Sequence, residues 1–233
     1  MPTALVQPDF EFAKNASERY FENKKKTEAL TKDEIGYLLY FLKSTEDPNY
    51  KTFVARKSDI ISFLPEQSYS DFDHQLILSK VVAQSIDEKN KKINDDYFMK
   101  TAETLVGKEE AQIKLNQTKL AYYEQTANFT EFEKTALEYY KKTDSFEPNE
   151  LLKAAWIFSE HVKNPSSLKK AAEWAEQSVM RGETSENTYI LAKIYFLTGN
   201  KETAKNFAEM SRNIAVQNNK DAGLAEELLK QIK

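Results

Sequence analysis

The sequence contains no cysteine. That absence removes disulfides, thiol nucleophiles, zinc–thiolate centres and iron–sulfur clusters from the chemistry open to this chain. Glycine and proline are scarce, at 5 and 6 of 233 residues. Sheet-rich and doubly wound folds spend glycine on tight turns and phosphate loops, so the scarcity points to helices. No apolar run approaches the ~18 residues that span a bilayer, and no membrane insertion is expected. The opening "MPTALVQPDFEFAKN" lacks a basic stretch followed by an apolar one, so it does not read as a signal peptide. There are only two histidines, His74 and His161, and neither has a metal-binding spacing. Nucleophile elbow, phosphate loop and dinucleotide fingerprint are all missing, and no cofactor or metal is expected.

What is present is a balanced, helix-forming composition. The chain is 40% hydrophobic and 30% charged, as expected for a globular protein. Its 33 basic and 37 acidic residues give a net charge of −4, which offers no general attraction for nucleic acid. The basic runs Lys24–Lys26 and Lys91-Lys92 read as solvated helix ends. "DFDH", with Asp71, Asp73 and His74, is the nearest approach to a ligand cluster; as the start of a helix from about Asp71, it reads as acidic capping. The pairs Asp95-Asp96, Glu109-Glu110 and Glu226-Glu227 fall at expected helix starts or on polar faces, with no sign of convergence in a cleft.

Apolar residues recur at helical spacing almost throughout. Thr31 and Glu34 have the spacing of a capping box before Ile35, Leu38, Leu39 and Leu42. Asp47-Pro48 opens a helix with proline at its first position. Pro65 to Ser70 reads as a loop. Further helices are expected from about Asn94 to Val106 and Lys108 to Gln125. The C-terminal half is self-similar. With Asn200 set on Asn128, Tyr195 matches Tyr123, Thr198 matches Thr126, Gly199 matches Ala127 and Ala208 matches Ala136. Ala171, Ala175 and Ser178 repeat the spacing of Ala204, Ala208 and Ser211. A period of roughly 33 to 36 residues with two helices per unit predicts stacked helical hairpins. Gly199 and Ala127 would occupy the corners, where a left-handed residue penalises larger side chains.

"SENTYILAKIYFLTGNKETAKNFAEMS" resembles a tetratricopeptide repeat, through Leu191, Ala192, Tyr195, Gly199, Ala204 and Ala208. Lys108–Tyr140 and Asn149–Arg181 resemble degenerate copies. The order "LTKDEIGYLLYFLKSTEDPNYKTFVARKSDI", a helical middle and then such pairs is similar to the helical region behind the thioredoxin domain of certain Bacteroidetes thioredoxin-family proteins. No Cys-x-x-Cys is present, so the resemblance carries over no thiol exchange. It implies a handover from the redox domain near "ALVQPDFEFAKN", and a periplasmic or cell-envelope location; without the resemblance the expected location is cytoplasmic. The repeat resemblance places Glu186, Tyr189, Lys193, Phe196 and Leu197 on a concave strip, beside Leu152, Trp156, Ser159 and Glu160 of the preceding unit. Aromatic and charged groups together suit peptide capture. The opposing reading packs Tyr189 and Phe196 against a C-terminal helix, Ala222–Ile232.

The expectation is therefore an all-α fold of about a dozen antiparallel helices, stacked as a tetratricopeptide-like α-α superhelix. Residues 1–100 form an N-terminal helical segment and 101–233 the repeats, within one continuous helical domain. The expected role is a non-catalytic protein-interaction or scaffold module, accessory to a thioredoxin-type redox protein. A protein or peptide partner would be held by Trp156, Tyr189, Lys193 and Phe196. A structural spacer, a homodimerisation domain and a helical-bundle enzyme with a carboxylate/His site are the alternatives.

Overall fold

A computed structural model of the chain describes residues 10–25 and 27–232. The first half of the expected handover segment, residues 4–9, and Lys26 lie outside the described residues. The protein is all-α, with thirteen α-helices among the described residues and almost no strand. The chain divides into two compact units. One comprises Met1–Asp87 with Ile93–Ala111, the other Glu88–Lys92 with Gln112–Lys233.

The first unit is built from α1 (Phe10–Asn23), α2 (Lys32–Phe41), α3 (Pro48–Ala55), α4 (Lys57–Ile61), α5 (Glu66–Ser85) and α6 (Asp95–Val106). Local chemistry sets several starts. The Thr31 N–H donates to Glu34 Oε2 at 2.7 Å and the Glu34 N–H to Thr31 Oγ1 at 3.3 Å, closing the capping box. Asp47 accepts from the Asn49 N–H at 3.1 Å, with Pro48 in the first turn where its missing N–H costs nothing. Glu34 also pairs with Lys24 at 2.6 Å. That bond and the Thr31 N–H hold its carboxyl down at about 2. Phe21, Leu38, Phe53, Ile60, Tyr69 and Leu76 share the buried core, where Phe53 stacks on Tyr69 with ring centroids 4.4 Å apart.

Three expectations change here. The segment after Pro65 is helical, because α5 begins at Glu66 with Pro65 as its N-cap. "DFDH" is therefore mid-helix rather than a cap. Asp71 accepts from the Gln67 amide at 2.8 Å, and Asp73 from the Tyr50 hydroxyl at 2.8 Å. Lys91-Lys92 is not a helix end either. Lys91 takes a φ of 50° in the turn between two paired two-residue strands, β1 (Ile86–Asp87) and β2 (Lys92–Ile93).

The second unit contains most of α7 (Lys108–Gln125), then α8 (Phe129–Tyr139), a 3₁₀ turn at Thr143–Ser145, α9 (Pro148–His161), α10 (Pro165–Arg181), α11 (Ser185–Leu197), α12 (Lys201–Gln217) and α13 (Gly223–Ile232). Neighbours pack in sequence: α9 on α10, α10 on α11, α11 on α12 and α12 on α13, with α9 also touching α11. The residues N-terminal to α8, α10 and α12 are Asn128, Asn164 and Asn200, at equal intervals (164 − 128 = 36 and 200 − 164 = 36).

Two of the three corners are alike. Gly199 and Ala127 both have positive φ, 83° and 52°. The Asn200 N–H reaches back to the Tyr195 carbonyl at 2.9 Å, as the Asn128 N–H does to Tyr123 at 2.8 Å. The Gly199 and Ala127 N–H groups reach Phe196 and Glu124. These paired bonds satisfy carbonyls that a helix end otherwise leaves open. The middle corner differs. Val162 is extended, and Asn164 caps α10 by accepting from the Ser166 N–H at 3.0 Å.

Behind the corners, small residues let helices approach. Ala171, Ala175, Ala192, Ala204 and Ala208 are all fully buried. Ser211 donates across to the Ser185 carbonyl at 2.6 Å, and Ser178 accepts from the Asn187 amide at 3.2 Å. Both serines thus tie a second helix to the start of α11.

Candidate functional site

The second unit contains a cleft of about 580 Å³ between α9, α11 and the start of α13. α9 supplies Leu152, Lys153 and Trp156 to it; α11 supplies Glu186, Tyr189 and Ile190; Asp221 and Leu224 close the far side. Its floor follows from helical spacing. Leu152 and Trp156 are four residues apart on α9, as Glu186 and Ile190 are on α11, so each pair lies on one face. The inward neighbours Leu151, Phe158 and Leu191 are buried in the core, which fixes how each helix is rotated.

Trp156 is the informative side chain. It remains 38% exposed on a helix whose other large apolar residues are buried. Its ring lies 6.5 Å from that of Tyr189, tilted by 44°. Leaving this much indole in water forgoes part of the ~1.5–3 kcal/mol that burying a large apolar side chain returns. Tyr189 is half-buried, and burial pushes its phenol pKa up, reinforced by the negative charges of Glu160 and Glu227.

The four residues expected on one strip divide into two groups. Trp156, Tyr189 and Lys193 come together. Lys193 Nζ lies 2.5 Å from Glu160 and 5.5 Å above the Trp156 ring. The pair is partly exposed, so its ion pair is worth roughly 0–1 kcal/mol and its cation–π contact about 0.5–1 kcal/mol. Lys193 is therefore occupied within the chain and acts chiefly to steady the Trp156 ring. Phe196 goes elsewhere. It packs with Leu228 and Ile232 of α13 and with the buried Ala192, Ala204 and Ala208. Tyr189 touches this cluster as well as Trp156. Among the other strip residues, Ser159 is buried and donates to the Trp156 carbonyl at 2.8 Å, while Leu197 is exposed.

Sequence reasoning did not include Lys153, Asp221 or Leu224. One signal was available for Lys153: Lys153 and Glu186, like Glu160 and Lys193, carry opposite charges one 33-residue period apart (186 − 153 = 33 and 193 − 160 = 33). Asp221 and Leu224, just before and within α13, had no such signal. His161 is not among the residues that line the cleft. His161 stacks on Phe129 with centroids 3.6 Å apart and planes within 6°. Among the described residues, no group of three or more His, Asp or Glu could hold a metal ion.

Comparison with protein-family models, curated proteins and solved structures finds no match for this chain.

Proposed function

We propose that this protein is a non-catalytic interaction module whose C-terminal helix pairs, stacked in tetratricopeptide-like fashion, hold a peptide segment of a protein partner in the cleft beside Trp156. The observation that carries the reading is the partly exposed indole, braced by Lys193 and set beside Tyr189 in the wall of a cleft with room for several side chains. Large aromatics in such positions dominate the energetics of protein recognition. The charged groups nearest the indole are spent on holding it in place, which favours docking over proton transfer as its role.

The partner's setting follows from the resemblance of "DPNYKTFVARKSDI" to thioredoxin-associated helical regions, and we place the module as an accessory to such a redox protein. In this chain that segment forms the start and core of α3 and α4, with Phe53 and Ile60 fully buried. Sequencing the surrounding gene and its neighbours tests the placement; absence of any Cys-x-x-Cys domain there would remove it.

The cleft itself is tested by alanine variants of the whole chain, read against a partner co-purified from the source cells. Trp156→Ala is expected to lose the partner at little cost in melting temperature. Phe196→Ala is expected to lower the melting temperature through lost packing on α13. Full partner retention by a folded Trp156→Ala variant would end the proposal.

Homodimerisation is a second reading, favoured by α2, where Tyr37 and Tyr40 stand exposed beside Gly36. A light-scattering mass that stays monomeric at rising concentration would remove it.

A further inference from the structure

Resting on the reading of the cleft as a peptide groove, we infer that the segment it takes is basic as well as apolar: a Lys or Arg side chain flanking a large apolar anchor. The cleft's cations are already neutralised within the chain. Lys153 Nζ lies 2.7 Å from Glu124 Oε2, and Lys193 Nζ 2.5 Å from Glu160 Oε1. Its carboxylates are not. Glu186, exposed in the first turn of α11, makes no ion pair among the described residues. Asp221, exposed just before α13, is held among the described residues only through Oδ1, which accepts from the Gly223 N–H at 2.8 Å. Both line the cleft alongside Leu152, Trp156, Tyr189 and Leu224.

The charge left uncompensated at this cleft is therefore negative, and its walls are apolar and aromatic. An acidic segment would meet Glu186 and Asp221 with no uncommitted cation to answer it. A neutral apolar segment would fill the walls and leave both carboxylates beside apolar surface without a counter-charge, a cost that grows as water is excluded. A guanidinium or ammonium next to an apolar anchor satisfies both features, and the exposed aromatic faces favour a cation as well.

The test uses three fluorescent peptides of about a dozen residues, alternating Leu with Arg, Gln or Glu, titrated by anisotropy into the full chain. The expected order of affinity is Arg, then Gln, then Glu, with roughly tenfold or more between the first and last, narrowing as salt screens the charges. The double variant Glu186→Gln/Asp221→Asn should weaken the Arg peptide by about tenfold and leave the Gln peptide bound at least as tightly as before. Both changes preserve side-chain shape, and Asn keeps the acceptor that holds the Gly223 N–H, so a melting curve like the parent's is expected. The inference is overturned if the Arg peptide fails to bind, binds no tighter than the Gln peptide, or keeps its advantage in the double variant. Trp156→Ala separates the two levels of the argument. If it weakens all the peptides that bind while the charge variants change none, the groove stands and its charge preference falls. If it changes none, the groove falls too.

Discussion

Both units bury large side chains, but the second combines them with a set of small ones: its core holds Tyr123, Phe158 and Trp174 together with alanines, whereas the first is almost wholly large. Around Phe53 the buried neighbours are Phe21, Leu38, Ile60, Tyr69 and Leu76, carried on helices whose lengths run from 5 to 20 residues. In the second unit Ala154, Ala155, Ala171, Ala175, Ala192, Ala204 and Ala208 are buried where helices cross, and every corner between paired helices is three residues long. Large side chains can fill space between elements of unequal length, but their fit is individual to each site. Alanines at a fixed interval bring backbones to a fixed separation, so similar hairpins can follow one another. Removal of volume should damage either core, and the alanines make the second unit vulnerable to addition as well.

Removal should have the largest effect. Phe53→Ala deletes a fully buried ring stacked on Tyr69 and edge-on to Phe72. A loss of about 3–5 kcal/mol is expected in urea unfolding followed by far-UV circular dichroism. Both tryptophans, Trp156 and Trp174, belong to the second unit, so fluorescence reports that unit separately. A loss below about 2 kcal/mol would mean that the site collapses to fill the hole, and that the stack is not the centre of the first unit.

Addition comes next. Ala208→Leu inserts three carbons where Ala192, Ala204, Leu228 and Ile232 already meet. Overpacking of this kind should cost about 1–3 kcal/mol in the fluorescence-detected transition. A change within ~0.5 kcal/mol would show that α11, α12 and α13 yield easily, and the contrast between the units would lose its basis.

The same contrast explains what could be read without coordinates. The second unit repeats itself, so the Tyr195–Ala208 corner could be recognised in Tyr123–Ala136, and the left-handed turn at Gly199 and Ala127 follows from both. The first unit offers no internal echo, and each boundary had to be judged alone. Thr31 with Glu34 and Asp47 with Pro48 carry their own capping chemistry and were legible. Pro65 was not, because proline followed by polar residues suits a loop as well as a helix start, and only the packing of Tyr69 on Phe53 decides it. At the cleft, Trp156 and Tyr189 were legible through period and residue type. The fate of Phe196 was not, since its position can face either the groove or α13. That choice depends on how α13 folds back, which no local spacing encodes.

The smallest effect separates two glycines. An added Cβ would meet nothing within 4 Å at Gly36 or at Gly199, so Ala at either site tests the backbone rather than packing. Gly199 has a φ of 83° at the α11–α12 corner, where alanine is strained, and Gly199→Ala should cost about 1 kcal/mol. Gly36 lies inside α2 with an ordinary helical backbone, where glycine is weaker than alanine because it leaves the unfolded chain more freedom to lose. Gly36→Ala should therefore stabilise the first unit by about 0.5–1 kcal/mol. Thermal melts of the two variants should move in opposite directions. Should Gly36→Ala lower the melting temperature, nothing within the described chain would account for it. A close neighbour on the exposed face beside Tyr37 and Tyr40 would then be required, and repeating the melts across protein concentrations would show whether that neighbour is a second copy.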